Sequence, residues 1–179
     1  MAWNAYSEED KAVLHKSWLL LEPKKQQLGC DIYDMIFNQC PEARKLFPTM
    51  KFTGNKREKK SCEFVFQALR FIQVIEGGIM ALDDLSSLSI ILDNLGRRHG
   101  KLEINGKFRA VYWSVFLECS LFNIRRFLEE TKKMSAEEVD AAIIAFRLLL
   151  TDIIAKIKVG YSADIAHRLK QMSLDVKSQ

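Results

Sequence analysis

Apolar residues recur along this chain at third- and fourth-residue spacing, in one segment after another, which is the period of helices with one buried face. Leu14, Trp18 and Leu21 form the first stripe; Ser7 opens it as an N-cap, Glu8, Glu9 and Asp10 suit the positive end of the helix dipole, and Pro23 ends it. The next segment sets Leu28, Ile32, Met35 and Ile36 on one face, with Tyr33 and Phe37 one turn apart beside them. Pro41 then starts a short helical turn that Phe47-Pro48 breaks. Phe64, Gln67, Ala68, Phe71 and Ile75 place three apolar groups, a small residue and a lone amide on one face, and Gly77-Gly78 closes that helix. Asp83 or Asp84 caps a segment that carries Leu88, Leu92 and Leu95 and arrives at His99-Gly100. Phe108, Val111, Tyr112, Val115, Phe116 and Cys119 predict a further helix. The last opens on the capping-box pair Ser135 and Glu138 and carries Val139, Ile143, Phe146, Leu150, Ile153 and Ile157. The tail beyond Tyr161 is polar and lacks a stripe after Leu169, so it either frays or extends the last helix. No stretch alternates at period two for long enough to make a strand. The fold class is therefore all-α, and the unequal helices, with a break after nearly every one, argue against a regular up-down bundle.

Composition narrows the picture without changing it. At 179 residues, 48% hydrophobic and 28% charged, the chain suits one soluble domain with a sizeable core. No apolar run is long enough to span a bilayer. The N-terminus lacks a basic segment followed by an apolar one, and Ala2 stands where N-myristoylation requires glycine, so a cytoplasmic protein is expected. The net charge of +4 is modest, and the basic cluster from Lys51 to Lys60 contains Gly54 and Asn55, so it reads as a solvated loop rather than a nucleic-acid patch. Cys30, Cys40, Cys62 and Cys119 show no zinc-ligand spacing and are expected as reduced, mostly buried thiols. Cys40 and Cys62, on either side of the corner, are the one pair considered for a redox-dependent bridge.

Candidate chemistry concentrates on one imidazole. Of the three histidines, His15 lies in a charged first helix and His167 in the polar tail, while His99 ends an apolar stripe. Alone, a histidine at a helix C-terminus is ordinarily a surface residue suited to the helix dipole; a metal ligand is the alternative. The order of its neighbours decides. Trp18 behind Ser7-Glu8-Glu9-Asp10, then Gly29, Tyr33 and Phe37, then Pro41-Glu42-Ala43 through Phe47-Pro48, then Leu95 one turn before His99, and finally Ala145-Phe146 through Gly160-Tyr161 together resemble the globin family from first helix to last.

That resemblance implies a globin fold of about seven to eight helices around a haem pocket. The whole chain would be one globin domain with its core over 7–161, a short extension over 1–6 and a tail over 162–179. It implies haem b as cofactor, His99 as the proximal iron ligand, and the Leu95 carbonyl as the acceptor that orients its ring. Phe47 would lie against the haem, Phe71 above the iron and Ile104 among the haem contacts, with Arg70 and Arg98 placed to pair with propionates. The distal position falls on Gln67, where no histidine is available, and Ala68 beside it, replacing the usual glycine, faces Gly29 across a close helix crossing. Tyr33 takes the B-helix position over the distal face. A Tyr-Gln pair of this kind is similar to that of certain invertebrate globins, nematode ones in particular, and would donate two hydrogen bonds to a bound ligand.

The implied function is reversible binding of dioxygen, among other diatomic gases, at a five-coordinate ferrous iron, for storage, transport or buffering, without enzymatic turnover. The alternative is redox or gas-sensing work, including nitric-oxide dioxygenation. Lacking a Rossmann glycine fingerprint or flavin domain, the chain would then need an external reductase. A haem-free scaffold acting through protein contacts is the third reading. No nucleic-acid partner and no membrane span are expected.

Overall fold

The computed structural model describes residues 3–47 and 62–177, which form six α-helices and no strand among the described residues. These are α1 (Glu8–Leu21), α2 (Lys25–Gln39), α3 (Cys62–Met80), α4 (Ser89–Ile104), α5 (Tyr112–Thr131) and α6 (Ala136–Lys177), with 3-10 turns at Glu22–Lys24, Pro41–Leu46 and Leu85–Leu88. The basic stretch 51–60 lies outside the described residues.

Caps set the helix starts where the sequence puts them. Ser7 Oγ accepts from the Asp10 backbone N–H at 3.0 Å while Asp10 Oδ2 accepts from the Ser7 N–H, so two otherwise unpaired donors are satisfied reciprocally. Ser135 and Glu138 do the same at the start of α6. Ahead of α1, the Asp152 carboxylate of α6 accepts from both Asn4 nitrogens and from the Tyr6 hydroxyl, tying the N-terminal segment to the longest helix.

The core gathers Leu14, Trp18, Leu28, Ile32, Phe37, Ile72, Ile75, Leu92, Ile124 and Phe146 from all six helices. Two helix crossings position everything that follows. At the first, α2 meets α3: a Cβ on Gly29 would stand 2.8 Å from Ile72 Cγ1 and 2.9 Å from the Ala68 carbonyl, so the small pair expected from the sequence does meet. At the second, α4 meets α6 backbone to backbone. A Cβ on Gly96 would fall on the Ile157 carbonyl oxygen, and one on Gly160 would fall on that of Asp93. Only glycine permits helix axes so close.

Three sequence expectations are corrected, and one alternative left open is resolved. Gly77-Gly78 does not close α3, which runs on to Met80; Gly78 is a notch that receives Ile153 and Leu149 of α6. Asp84 precedes the Leu85–Leu88 turn without a side-chain capping bond, and α4 starts only at Ser89. Val111 is half-exposed and precedes α5, whose buried start is Tyr112 and Trp113. The tail does not fray: α6 continues for 42 residues, and the buried Asp164, held by Arg168, packs its side chain against α4 at Gly100. None of the four cysteines forms a disulfide; Cys30 and Cys119 are buried, Cys40 is partly buried and Cys62 exposed.

Candidate functional site

His99 is fixed by its own helix. Its Nδ1 lies 2.8 Å from the Leu95 carbonyl one turn earlier, and since a carbonyl oxygen only accepts, Nδ1 carries the proton. The lone pair therefore sits on Nε2, which has no hydrogen-bond partner among the described residues. Burial lowers the pKa of the ring, with the Leu95 carbonyl opposing, so the imidazole is neutral at pH 7. Phe108 and Trp113 flank it at centroid distances of 5.0 and 5.1 Å. A neutral, oriented imidazole with an open Nε2 lone pair has the chemistry of a metal ligand.

A second cluster is built by α2, α3 and the end of the Pro41–Leu46 turn. Gln67 Nε2 of α3 donates to Tyr33 Oη of α2 at 3.5 Å. Since the phenol oxygen accepts there, its own proton is left to donate elsewhere. Phe37, Phe47, Phe64 and Phe71 surround the Tyr33 ring at 5.6, 5.7, 6.3 and 6.1 Å. Burial raises the Tyr33 pKa, partly offset by the Gln67 bond and the Arg70 charge, so the group stays an O–H donor through the neutral range. Phe71 in turn meets Phe116 of α5 edge-on at 4.4 Å.

The structure thus brings together His99 with Leu95, and Tyr33 with Gln67, Phe47 and Phe71. Arg70 and Arg98 are exposed and form no ion pair with a described residue; Arg70 lies over the Phe66 ring at 5.8 Å. Ile104 ends α4 partly buried but off the core, a place Leu102 takes, because a step of three residues returns to the His99 face of a helix and a step of five does not. Phe108, Trp113 and Phe116 escaped the sequence reading as site residues. Phe108 and Phe116 stood in its apolar stripe undistinguished from core, and Trp113 lies one residue off that stripe.

The donor set says what kind of metal centre fits. Among the described residues no three His, Cys, Asp or Glu side chains gather around a point that could hold an ion. One imidazole cannot hold iron or zinc alone. A metal at His99 would have to bring its other ligands with it, as a macrocycle with a flat apolar surface does; Phe108 and Trp113 beside His99, and Phe71 and Phe47 beside Tyr33, are apolar surfaces that fit such a disc.

Comparison with known proteins follows the same line. Residues 30–153 match the globin family model. Neuroglobin of Chaenocephalus aceratus is 34% identical over 122 residues, 64% of this chain and 75% of that protein. Globin-related protein glb-13 of Caenorhabditis elegans is 25% identical over 173 residues, 96% of this chain and 57% of that protein. Among solved structures, a hexacoordinated heme protein from an anhydrobiotic tardigrade superposes with a TM-score of 0.73 at 20% identity, covering 88% of this chain and 96% of that one. No helix among the described residues is long and apolar enough to cross a membrane.

Proposed function

This chain belongs to the globin family, and on that premise we propose that it holds a haem b through His99 and binds dioxygen reversibly, for storage, transport or buffering in the cytoplasm. A haem held there supplies a five-coordinate ferrous iron open to a diatomic ligand. The observation that carries the reading is the state of His99: partly buried among aromatic rings, neutral, oriented by the Leu95 carbonyl, and with Nε2 unpartnered. Leu95 orients the ring; Phe47, Phe71, Phe108 and Trp113 exclude water; Arg70 and Arg98 are free to take up propionates. Ile104 is left outside this set of contacts.

Tyr33 and Gln67 supply the selectivity. A phenol O–H and an amide N–H in a dry aromatic pocket favour a ligand that carries negative charge, as polarised dioxygen does, over carbon monoxide. Each bond contributes on the order of 1 kcal/mol, so together they slow dissociation by roughly ten- to a hundredfold.

A second reading, redox or gas-sensing work with an external reductase, draws support from the tardigrade neighbour, which is described as hexacoordinated. This chain offers no histidine for a sixth bond at Gln67, and His15 and His167 are both exposed. Absorption spectra separate the readings. The purified protein is expected to show a Soret band and a five-coordinate, high-spin deoxy-ferrous state, and His99→Ala to lose that spectrum. A six-coordinate low-spin ferrous state favours the second reading, and the absence of any Soret band removes both.

A further inference from the structure

Helices α5 and α6 carry the same short pattern, once each. On α5, Glu118, Phe122 and Arg125 stand at steps of four and three residues; on α6, Asp140, Ile144 and Arg147 repeat those steps, acid first, apolar second and arginine last. Such steps put three side chains on one helix face. The two helices run antiparallel, so each acid meets the other helix's arginine. Arg125 Nη2 lies 2.7 Å from Asp140 Oδ1, and Arg147 Nη1 and Nη2 lie 2.8 and 3.2 Å from the two Glu118 oxygens. Between these ion pairs stand Phe122 and Ile144, 55% and 69% exposed.

Neither feature serves the fold. Ion pairs this exposed add little to stability, and apolar side chains left in water gain nothing from burial. The arrangement is, however, its own complement. The four charges occupy the corners of a rectangle with like signs on each diagonal. A half turn about an axis lying in this face, along the helices or across them, carries each corner onto a neighbour of opposite sign. A second copy brought down that way sets every arginine over a carboxylate and apolar on apolar, as a two-fold contact between identical surfaces requires. A different protein would have to match the alternation; a second copy carries it by identity.

We propose that this α5–α6 face is where two copies of the chain associate, as a weak two-fold dimer centred on Phe122 and Ile144. The contact uses neither His99 nor the Tyr33 cluster. Its size sets its strength. α5 has 20 residues and is about 30 Å long, and two helices packed about 10 Å apart present a face roughly 20 Å wide. That is roughly 600 Å2, against about 800 Å2 per partner in a standard stable interface. Beside Phe122, a groove against α2 lined by Met35, Asn38 and Asn123 adds a recess for a side chain of the second copy. The dimer is therefore reversible, with a dissociation constant on the order of 10 µM.

The test is sedimentation velocity of the purified protein from about 1 to about 200 µM, at low and high salt. The wild type is expected to pass from monomer to dimer across that range, and added salt to shift it back toward monomer by screening the four charges. Ile144→Lys and Phe122→Lys should each stay monomeric with unchanged far-ultraviolet circular dichroism, since both side chains are exposed. Arg147→Glu should weaken association about tenfold. Ile90→Lys on α4, where the side chain is 77% exposed outside this face, should leave association as in the wild type. A wild type that stays monomeric through the whole range overturns the second copy as occupant and leaves the face to a different protein or to solvent. A dimer indifferent to Ile144→Lys and Phe122→Lys, or abolished by Ile90→Lys, forms elsewhere and overturns the proposal too.

Discussion

The two sides of the site are built on different principles. On the His99 side, α4 is pressed onto α6 so closely that Gly96 and Gly160 touch the opposite main chain, and the reactive ring is oriented by a carbonyl of its own helix. In the Tyr33 cluster, α2 and α3 also cross at a small residue, Gly29, but the polar groups are two side chains that bond each other. Backbone contact sets where the imidazole stands, whereas the Tyr33 cluster is made of replaceable side chains. The first side should therefore break when altered, and the second should retune.

The largest effect is expected at Gly96. Even a methyl group there would overlap the Ile157 carbonyl and crowd the Tyr161 N and Gly160 C atoms at 2.7 and 3.1 Å, all of them main chain that cannot turn aside. Gly96→Ala should cost about 3 kcal/mol or more in urea unfolding and weaken haem retention, although alanine is otherwise the better helix former. Gly29→Ala meets the same problem in milder form, because its closest approaches, 2.8 Å to Ile72 Cγ1 and 2.9 Å to the Ala68 carbonyl oxygen, overlap less, and should cost about 1–3 kcal/mol. Equal losses at both positions would erase the distinction between the two sides.

These crossings also show what could be read from the chain. Gly29 opposite Ala68 was legible, since two small residues on adjacent amphipathic faces suggest a close approach. The capped starts at Ser7 and Ser135 were legible because capping is local chemistry. The run of α3 through Gly77-Gly78 was not, because a glycine used as a notch for Ile153 looks in sequence like a helix stop. Nor was the continuation of α6, whose anchor is the polar Asp164–Arg168 pair against Gly100 and leaves no apolar period to detect. The bond between His99 and the Leu95 carbonyl was legible, since a step of four residues sets both on one helix face, whereas the bond from Gln67 to Tyr33 joins two helices and was not. Trp113 carried no motif, and only the folding of α5 against α4 brings it beside His99.

At the Tyr33 cluster the expected changes are kinetic. Tyr33→Phe removes one donor and keeps the ring among Phe37, Phe47, Phe64 and Phe71, so oxygen dissociation from the ferrous protein should quicken about tenfold, with carbon-monoxide dissociation nearly unchanged. Flash photolysis and stopped-flow displacement measure both. Equal acceleration of the two gases would mean that the phenol acts by bulk rather than by hydrogen bonding.

Alkaline pH gives a smaller, signed effect. Burial raises the Tyr33 pKa above 10.0, and burial followed by the Asp152 hydrogen bond raises that of Tyr6. A phenol raised in the folded state contributes stability in full below its unfolded pKa and loses it as pH climbs through the folded value, because the unfolded chain ionises first. Denaturant midpoints should therefore fall above pH 10, and less steeply in Tyr6→Phe and Tyr33→Phe. A wild-type midpoint that stays level through pH 11 would remove the buried-phenol account.

The smallest change sharpens the comparison because it touches neither side. Lys132 caps α5 at φ 55, a left-handed conformation that costs a side-chain-bearing residue and not glycine. Its side chain is exposed, so Lys132→Gly relieves backbone strain without opening a cavity, although it also frees the unfolded chain. The net gain should be roughly 0.5 kcal/mol in urea unfolding. Ligand kinetics in this variant should match the wild type. If oxygen dissociation instead followed the gain in stability, the Tyr33→Phe effect would have to be reread as loosening of the whole molecule. If it does not, a rate change at Tyr33 belongs to the phenol, and the Tyr33 cluster is tuned independently of the helices that carry it.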